Sequence, residues 1–137
     1  MDLAGQRGRA LNGVMEQRER DQLVASYLEY ERTRSQDLFW AWNAVIDLVI
    51  RSADEGFEVV RALIERSADE PTIFQIAAGP LEELLPRHGP KIIDGLLEVG
   101  GKDQKMRLAL ARGVWGRNRI RSDVQEKLSG FANTPAD

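Results

Sequence analysis

The chemistry open to this sequence is narrowed first by its scarcest side chains. It has one histidine, His88, and no cysteine, which excludes any site built on two imidazoles, a thiolate metal centre, a cysteine nucleophile or a disulfide framework. His88 belongs to the residue type that titrates near neutral pH and can act as a general base. A nucleophile for it would have to come from Ser26, Ser35, Ser52, Ser67, Ser122 or Ser129, and none of these stands in a recognisable elbow. Glu82 and Glu83 are the nearest paired carboxylates. Adjacent residues point about 100° apart on a helix, so this pair suits the first turn of a helix better than a two-carboxylate acid/base site. No GxGxxG or GxxxxGK[ST] string is present to cradle phosphates. No metal and no cofactor is expected.

Binding chemistry is better represented. From Gln104 to Ser122 there is no acid, while Lys105, Arg107, Arg112, Arg117, Arg119 and Arg121 supply +6; the rest of the chain holds 13 basic and 22 acidic residues, −9, within an overall charge of −3. Such a strip can hold phosphates, with Trp115 stacked on a base. It can equally dock on an acidic protein surface, because arginine and tryptophan concentrate binding energy at interfaces. It can also neutralise the protein's own acidic faces and helix C-termini. A body at −9 repels a long polyanion but tolerates a compact partner. Gly113 and Gly116 interrupt the strip and leave the long side chains of Arg112, Arg117, Arg119 and Arg121 free to reach outward, around Trp115 as a rigid anchor.

These residues need elements to hold them, and 137 residues with 42% apolar and 30% charged side chains make one core of ordinary size. Residues 1–20, with Gly5, Gly8, Gly13 and four arginines, show no apolar period and read as a mobile arm; 21–130 form the domain and 131–137 a flexible tail. Leu23, Val24, Tyr27 and Leu28 mark a first amphipathic helix from about Asp21 to Arg32. Ser35 is placed to cap the next segment, in which eleven of the thirteen residues from Leu38 to Ile50 are apolar, and a helix apolar nearly all round belongs at the centre of a fold. Its polar residues Asn43 and Asp47 share a face extended by Gln36 and Arg51. Trp40 lies on that polar stripe, whereas Trp42 lies on the apolar side with Leu38, Val45 and Val49.

Arg-Ser-Ala-Asp-Glu occurs at 51–55 and again at 66–70. In each copy Ser-x-x-Glu reads as a capping box, which puts helix starts at Ser52 and Ser67, with Pro71 in a first turn. Further on, Gly79-Pro80, Pro86, Gly89-Pro90 and Gly100-Gly101 punctuate the chain into short helices near Pro71 to Ala78, Pro80 to Leu85 and Pro90 to Val99. Asp103 is placed to cap a helix whose buried stripe is Met106, Ala109, Leu110 and Val114, and a box at Ser122-Asp123-Val124-Gln125 opens the last one. No strand pattern occurs. The fold expected is a single all-α domain of about seven short helices in antiparallel hairpins, an irregular bundle with HEAT-like stacking.

The landmarks YLEYERT at Tyr27–Thr33, LFWAW at Leu38–Trp42, AGPLEELL at Ala78–Leu85, His88-Gly89 and ALARGVW at Ala109–Trp115 resemble, in order and spacing, an uncharacterised family of small bacterial all-helical domains. Its signature is AGPLE-(D/E)-LL, then HG, then GVW, matched here by Gly79, Pro80, Leu81, Glu82, Leu85, His88, Gly89, Gly113, Val114 and Trp115 over residues 22–128. Where members tend to carry a further tryptophan in the final helix, this chain has Gln125. The resemblance implies an all-α fold and no activity. Read physically, Gly79-Pro80 makes a sharp helix-to-helix corner, and Glu82 is free to meet a cation such as Arg107 or Arg112.

Three functional classes follow. The first is a non-catalytic protein-binding module of the toxin-neutralising immunity or host-system inhibitor kind, cytoplasmic, meeting a protein partner with an acidic surface through Arg112, Trp115, Arg117, Arg119, Arg121 and Trp40. The second is a nucleic-acid-associated protein using the 105–121 strip. The third is a hydrolase-like enzyme around His88 and Glu82. No apolar run reaches the about 18 residues of a membrane span, and no membrane partner is expected.

Overall fold

In the computed structural model, residues 15–112 and 120–132 are described. Among them there are seven α-helices and no strand: α1 Gln17–Thr33, α2 Phe39–Arg51, α3 Ala53–Glu65, α4 Glu70–Ile76, α5 Glu82–Lys102, α6 Gln104–Arg112 and α7 Ser122–Ala132, with a 3₁₀ turn Gln36–Leu38 before α2 and a π-helical turn Ala77–Leu81 joining α4 to α5. The protein is a single all-α domain. α1 starts four residues before the expected edge of the arm. Met15 is buried and its N–H donates to Glu55 Oε1 at 3.3 Å, while Arg20 pairs with Glu55 Oε2 at 3.3 Å. Two anchors on α3 therefore draw residues 15–20 into the fold.

α5 is the spine. It contacts α2, α3, α6 and α7 as well as the π turn, and Leu84, Leu85, Ile92, Ile93 and Leu96 are buried along it. The breaks expected at Gly79-Pro80, Pro86 and Gly89-Pro90 do not occur, since the path is helical from Glu70 to Lys102, whereas the stop expected at Gly100-Gly101 falls one residue later, before Asp103. Pro80 has no N–H for the usual bond four residues back, and the chain accommodates it by widening, so that Glu82 N–H reaches Ala77 O five residues behind. The expected sharp corner is this π turn. Pro86 and Pro90 lie on the outer, at least partly exposed side of α5, where water can serve the carbonyls they leave without a donor.

Two of the glycines taken for helix stops are close-approach points instead. A β-carbon on Gly89 would stand 3.1 Å from Val124 Cγ2, and one on Gly100 would stand 2.8 Å from Phe131 Cζ. Val124 and Phe131 are seven apart on α7, so both project from one face and seat that helix across α5. Phe131, expected in the flexible tail, belongs to the packed structure.

Helix starts follow the expected chemistry only in part. Ser52 Oγ accepts Glu55 N–H at 3.1 Å, as the Ser-x-x-Glu spacing requires. The second copy of the repeat behaves differently. Ser67 is buried and its hydroxyl donates to Leu63 O at 2.8 Å, while Asp69 caps α4 by accepting Thr72 N–H at 3.0 Å and its hydroxyl at 2.6 Å. Ser35 makes no side-chain cap bond. Asp103 Oδ1 accepts Lys105 N–H at 2.9 Å and opens α6 as expected.

α2 overturns its expected place. Ala41, Val45, Leu48 and Val49 are buried, but Phe39 is 37%, Trp40 49% and Ile50 37% exposed. The most apolar helix is a flank of the bundle, and the punctuated α5 is its centre.

Candidate functional site

The exposed end of α2 is built by the turn that precedes it. α1 stops at Arg34, which takes a left-handed conformation, φ 57°, with its N–H donating back to Tyr30 O at 2.7 Å. The chain reverses through the 3₁₀ turn and re-enters a helix at Phe39. Phe39 stacks on Trp42 with ring centres 5.6 Å apart and planes 8° apart, and it meets Tyr30 tilted at 55° with centres also 5.6 Å apart. Arg34 lies 5.3 Å over the Tyr30 ring and pairs with Glu31 Oε2 at 2.9 Å. Trp42 and Tyr30 anchor this cluster to the core, while Trp40 and Phe39 face outward. Below them on the same helix, Asp47 pairs with Arg51 at 2.9 Å, and Asp37 has neither a hydrogen bond nor an ion pair among the described residues.

Trp40 was read from the sequence as outward-facing because it falls on the Gln36, Asn43, Asp47, Arg51 stripe. Phe39 and Ile50 were missed. The signal was present, since Phe39 lies four residues before Asn43 and Ile50 three after Asp47, positions that flank an exposed stripe on a helix.

The basic strip is engaged internally as far as it is described. Lys105 Nζ donates to Glu65 O at 3.0 Å and Ser67 O at 2.8 Å, closing the C-terminal end of α3 with a positive charge where the helix dipole favours one. The Arg107 guanidinium lies 4.7 Å over the Phe131 ring. Arg121 pairs with Asp123 at 3.2 Å, and both side chains are largely exposed. Arg112 ends α6. Its side chain, together with Gly113, Val114, Trp115, Arg117 and Arg119, lies outside the described residues.

The signature residues have mainly packing roles. His88 Nε2 stands 3.2 Å from Ile50 O, so its N–H tautomer donates to the last turn of α2. Gly89 seats Val124, and Leu81 and Leu85 are fully buried. Pro80 is buried and sets the π turn. Gly79 lies over the Tyr27 hydroxyl, which is fully buried without a hydrogen-bond partner among the described residues. That burial first, and the nearby Glu31 carboxylate second, push the phenol's ionisation well above its ordinary range. Glu82 does not meet Arg107 and makes no ion pair among the described residues. It also opens no free helix end, because the π turn already occupies the amides before it. Glu82 and His88, six apart on α5, point about 120° away from each other, which gives them no shared substrate position.

A concavity of about 440 Å³ runs between α3 and α5 past Phe57, Arg61, Glu65, Glu98 and Lys102. It mixes cations and carboxylates around one half-buried ring, with Lys102 beside Glu98 at 3.6 Å. Among the described residues no group of three or more acidic or histidine side chains is placed to hold a metal ion, and no helix is long and apolar enough to cross a membrane.

The pattern of a family of unknown function, DUF6869, matches residues 29–135, and the chain belongs to that family. No curated protein and no solved structure matches the chain.

Proposed function

We propose that the protein is a protein-binding module of the immunity or inhibitor kind, and that it docks through the aromatic ridge of α2. The observation that carries this reading is the exposure of Phe39 and Trp40 side by side at the start of α2, with Ile50 exposed about three turns further along. Large apolar side chains clustered on a surface mark interaction sites, and tryptophan is prominent among interface residues whose loss is most damaging. The ridge is also preorganised. Phe39 is held by stacking on Trp42 and against Tyr30, so its side chain has little freedom left to lose on docking. The nucleic-acid reading is less well supported, because Lys105 and Arg107 are already engaged within the fold.

The test is capture of the partner from the native host, its identification by mass spectrometry and reconstitution with purified protein. Trp40→Ala should weaken binding by at least about tenfold while leaving the helical circular dichroism signal and the melting temperature unchanged. Wild-type affinity in this variant would overturn the proposal.

A further inference from the structure

The charges along the α2 ridge specify the group that the ridge receives. Glu31 is paired with Arg34 and Asp47 with Arg51, so these four side chains contribute no net charge. Asp37 is exposed and, among the described residues, unpaired. It sits in the 3₁₀ turn three residues before Trp40, a spacing that makes the two side chains neighbours on a helix surface. Asn43, also exposed, stands three residues beyond Trp40. The ridge thus presents a half-exposed indole with an exposed carboxylate three residues before it and an exposed amide three residues after it.

The chain contains the filled counterpart of this arrangement one turn away. There the Arg34 guanidinium covers the Tyr30 ring at 5.3 Å and pairs with Glu31 at 2.9 Å: cation, aromatic face and carboxylate are all present. Asp37 and Trp40 repeat the aromatic face and the carboxylate without the cation. Tryptophan is the most favourable ring for a cation. A guanidinium matches the site better than an ammonium, since it is planar, weakly hydrated and can stack on the ring while its N–H fork donates to a carboxylate.

We propose that the Trp40–Asp37 site receives an arginine side chain presented by a different protein, its guanidinium stacked on the indole and paired with Asp37. The inference rests on the reading of the ridge as a docking face. It reverses the sign of the partner surface expected from the basic strip: the surface that meets α2 is basic at its centre.

The test uses the intact protein and an acetylated, amidated Gly-Gly-Arg-Gly-Gly-Arg-Gly-Gly peptide, followed by the indole N–H signals of the three tryptophans, with that of Trp40 identified from Trp40→Phe. The arginine peptide should shift the Trp40 signal saturably, and its citrulline analogue should not. Asp37→Asn should weaken the arginine peptide by about threefold, in the range expected for an exposed cation–π and carboxylate pair, while Glu126→Gln, which removes the same charge from exposed α7, should leave it unchanged. Equal losses in the two variants would mean general attraction to an acidic protein and overturn the assignment, as would an unmoved Trp40 signal. Self-association of the protein that Trp40→Ala abolishes would give the face to a second copy and also overturn it. With the reconstituted partner, loss of binding in Trp40→Ala but not in Asp37→Asn would sink this inference alone, whereas wild-type binding in both would sink the docking face as well.

Discussion

α2 and α5 reverse the roles that their compositions suggest. α2 is a nearly unbroken apolar run and yet lies on the flank of the bundle, with Trp40 about half exposed. α5 contains two prolines and four glycines and yet is the helix on which α2, α3, α6 and α7 converge. The difference teaches that position in a helical bundle depends on how closely neighbours can approach as well as on how greasy a helix is. At Gly89 and Gly100 the missing side chains let α7 lie against α5. On α2 the inward side is filled by Ala41, Val45, Leu48 and Val49, and Phe39, Trp40 and Ile50 are left exposed. Apolar surface not covered within the fold is then available for something outside it.

The comparison breaks most visibly if its two helices respond alike to truncation. Leu96 is fully buried on α5, and Leu96→Ala should destabilise the protein by about 2 to 5 kcal/mol, whereas Trp40→Ala should stay within about 0.5 kcal/mol of wild type. Urea denaturation of both variants measures the contrast, and a loss in Trp40→Ala comparable to that in Leu96→Ala would place Trp40 in the core. A smaller effect separates the basic strip from the ridge. Lys105→Met keeps the side-chain length but removes the charge from the end of α3, and should lower stability by about 0.5 to 2 kcal/mol; no change on thermal melting would free Lys105 for a partner.

The smallest effect concerns acid. Hydrogen bonds from the Thr72 hydroxyl and then its amide hold the Asp69 carboxyl below its ordinary value, and the Arg66 and Gln17 side chains do the same for Asp21. A carboxyl whose folded pKa is depressed adds stability that is fully present above its unfolded value near 3.8 and is lost as pH falls through the folded one. Both contributions should therefore persist at pH 5 and fade below about pH 4. In Asp69→Asn the acid-side decline should be shallower than in wild type, and an identical decline would show that the cap does not titrate with folding.

The inward stripes of α1, α3, α5 and α6 were legible in the sequence, because Leu23, Val24 and Tyr27, or Ile92, Ile93 and Leu96, recur at helical spacing and nothing competes with that period. The helix boundaries between Gly79 and Gly101 were not. A proline or glycine signals a break only by its own local preference, and here Glu82 N–H found Ala77 O one residue further back than usual, while the glycines were settled by tertiary neighbours, Val124 and Phe131. The twin Ser-Ala-Asp-Glu strings diverged for the same reason, since Met15 and Arg20 reach Glu55 in the first copy and burial draws the Ser67 hydroxyl to Leu63 O in the second. Of the candidate site, Trp40 could be read from its stripe. That Asp37 has no ion pair among the described residues could not, because it depends on which neighbouring charges pair.

The π turn at Ala77–Leu81 sets the rotational phase of everything after it. One residue more than an α-helical turn contains rotates the downstream helix by about 100° about its axis. His88 and Gly89 lie about two turns beyond it, and their opposite duties, one toward Ile50 and the other toward Val124, fix α5 at a single angular setting. Shortening this segment by one residue would restore a regular helix and at the same stroke turn both side chains away from their partners. Ala78-Gly79-Pro80 and His88-Gly89 are in this sense one device: a phase adjustment and the two contacts that read it.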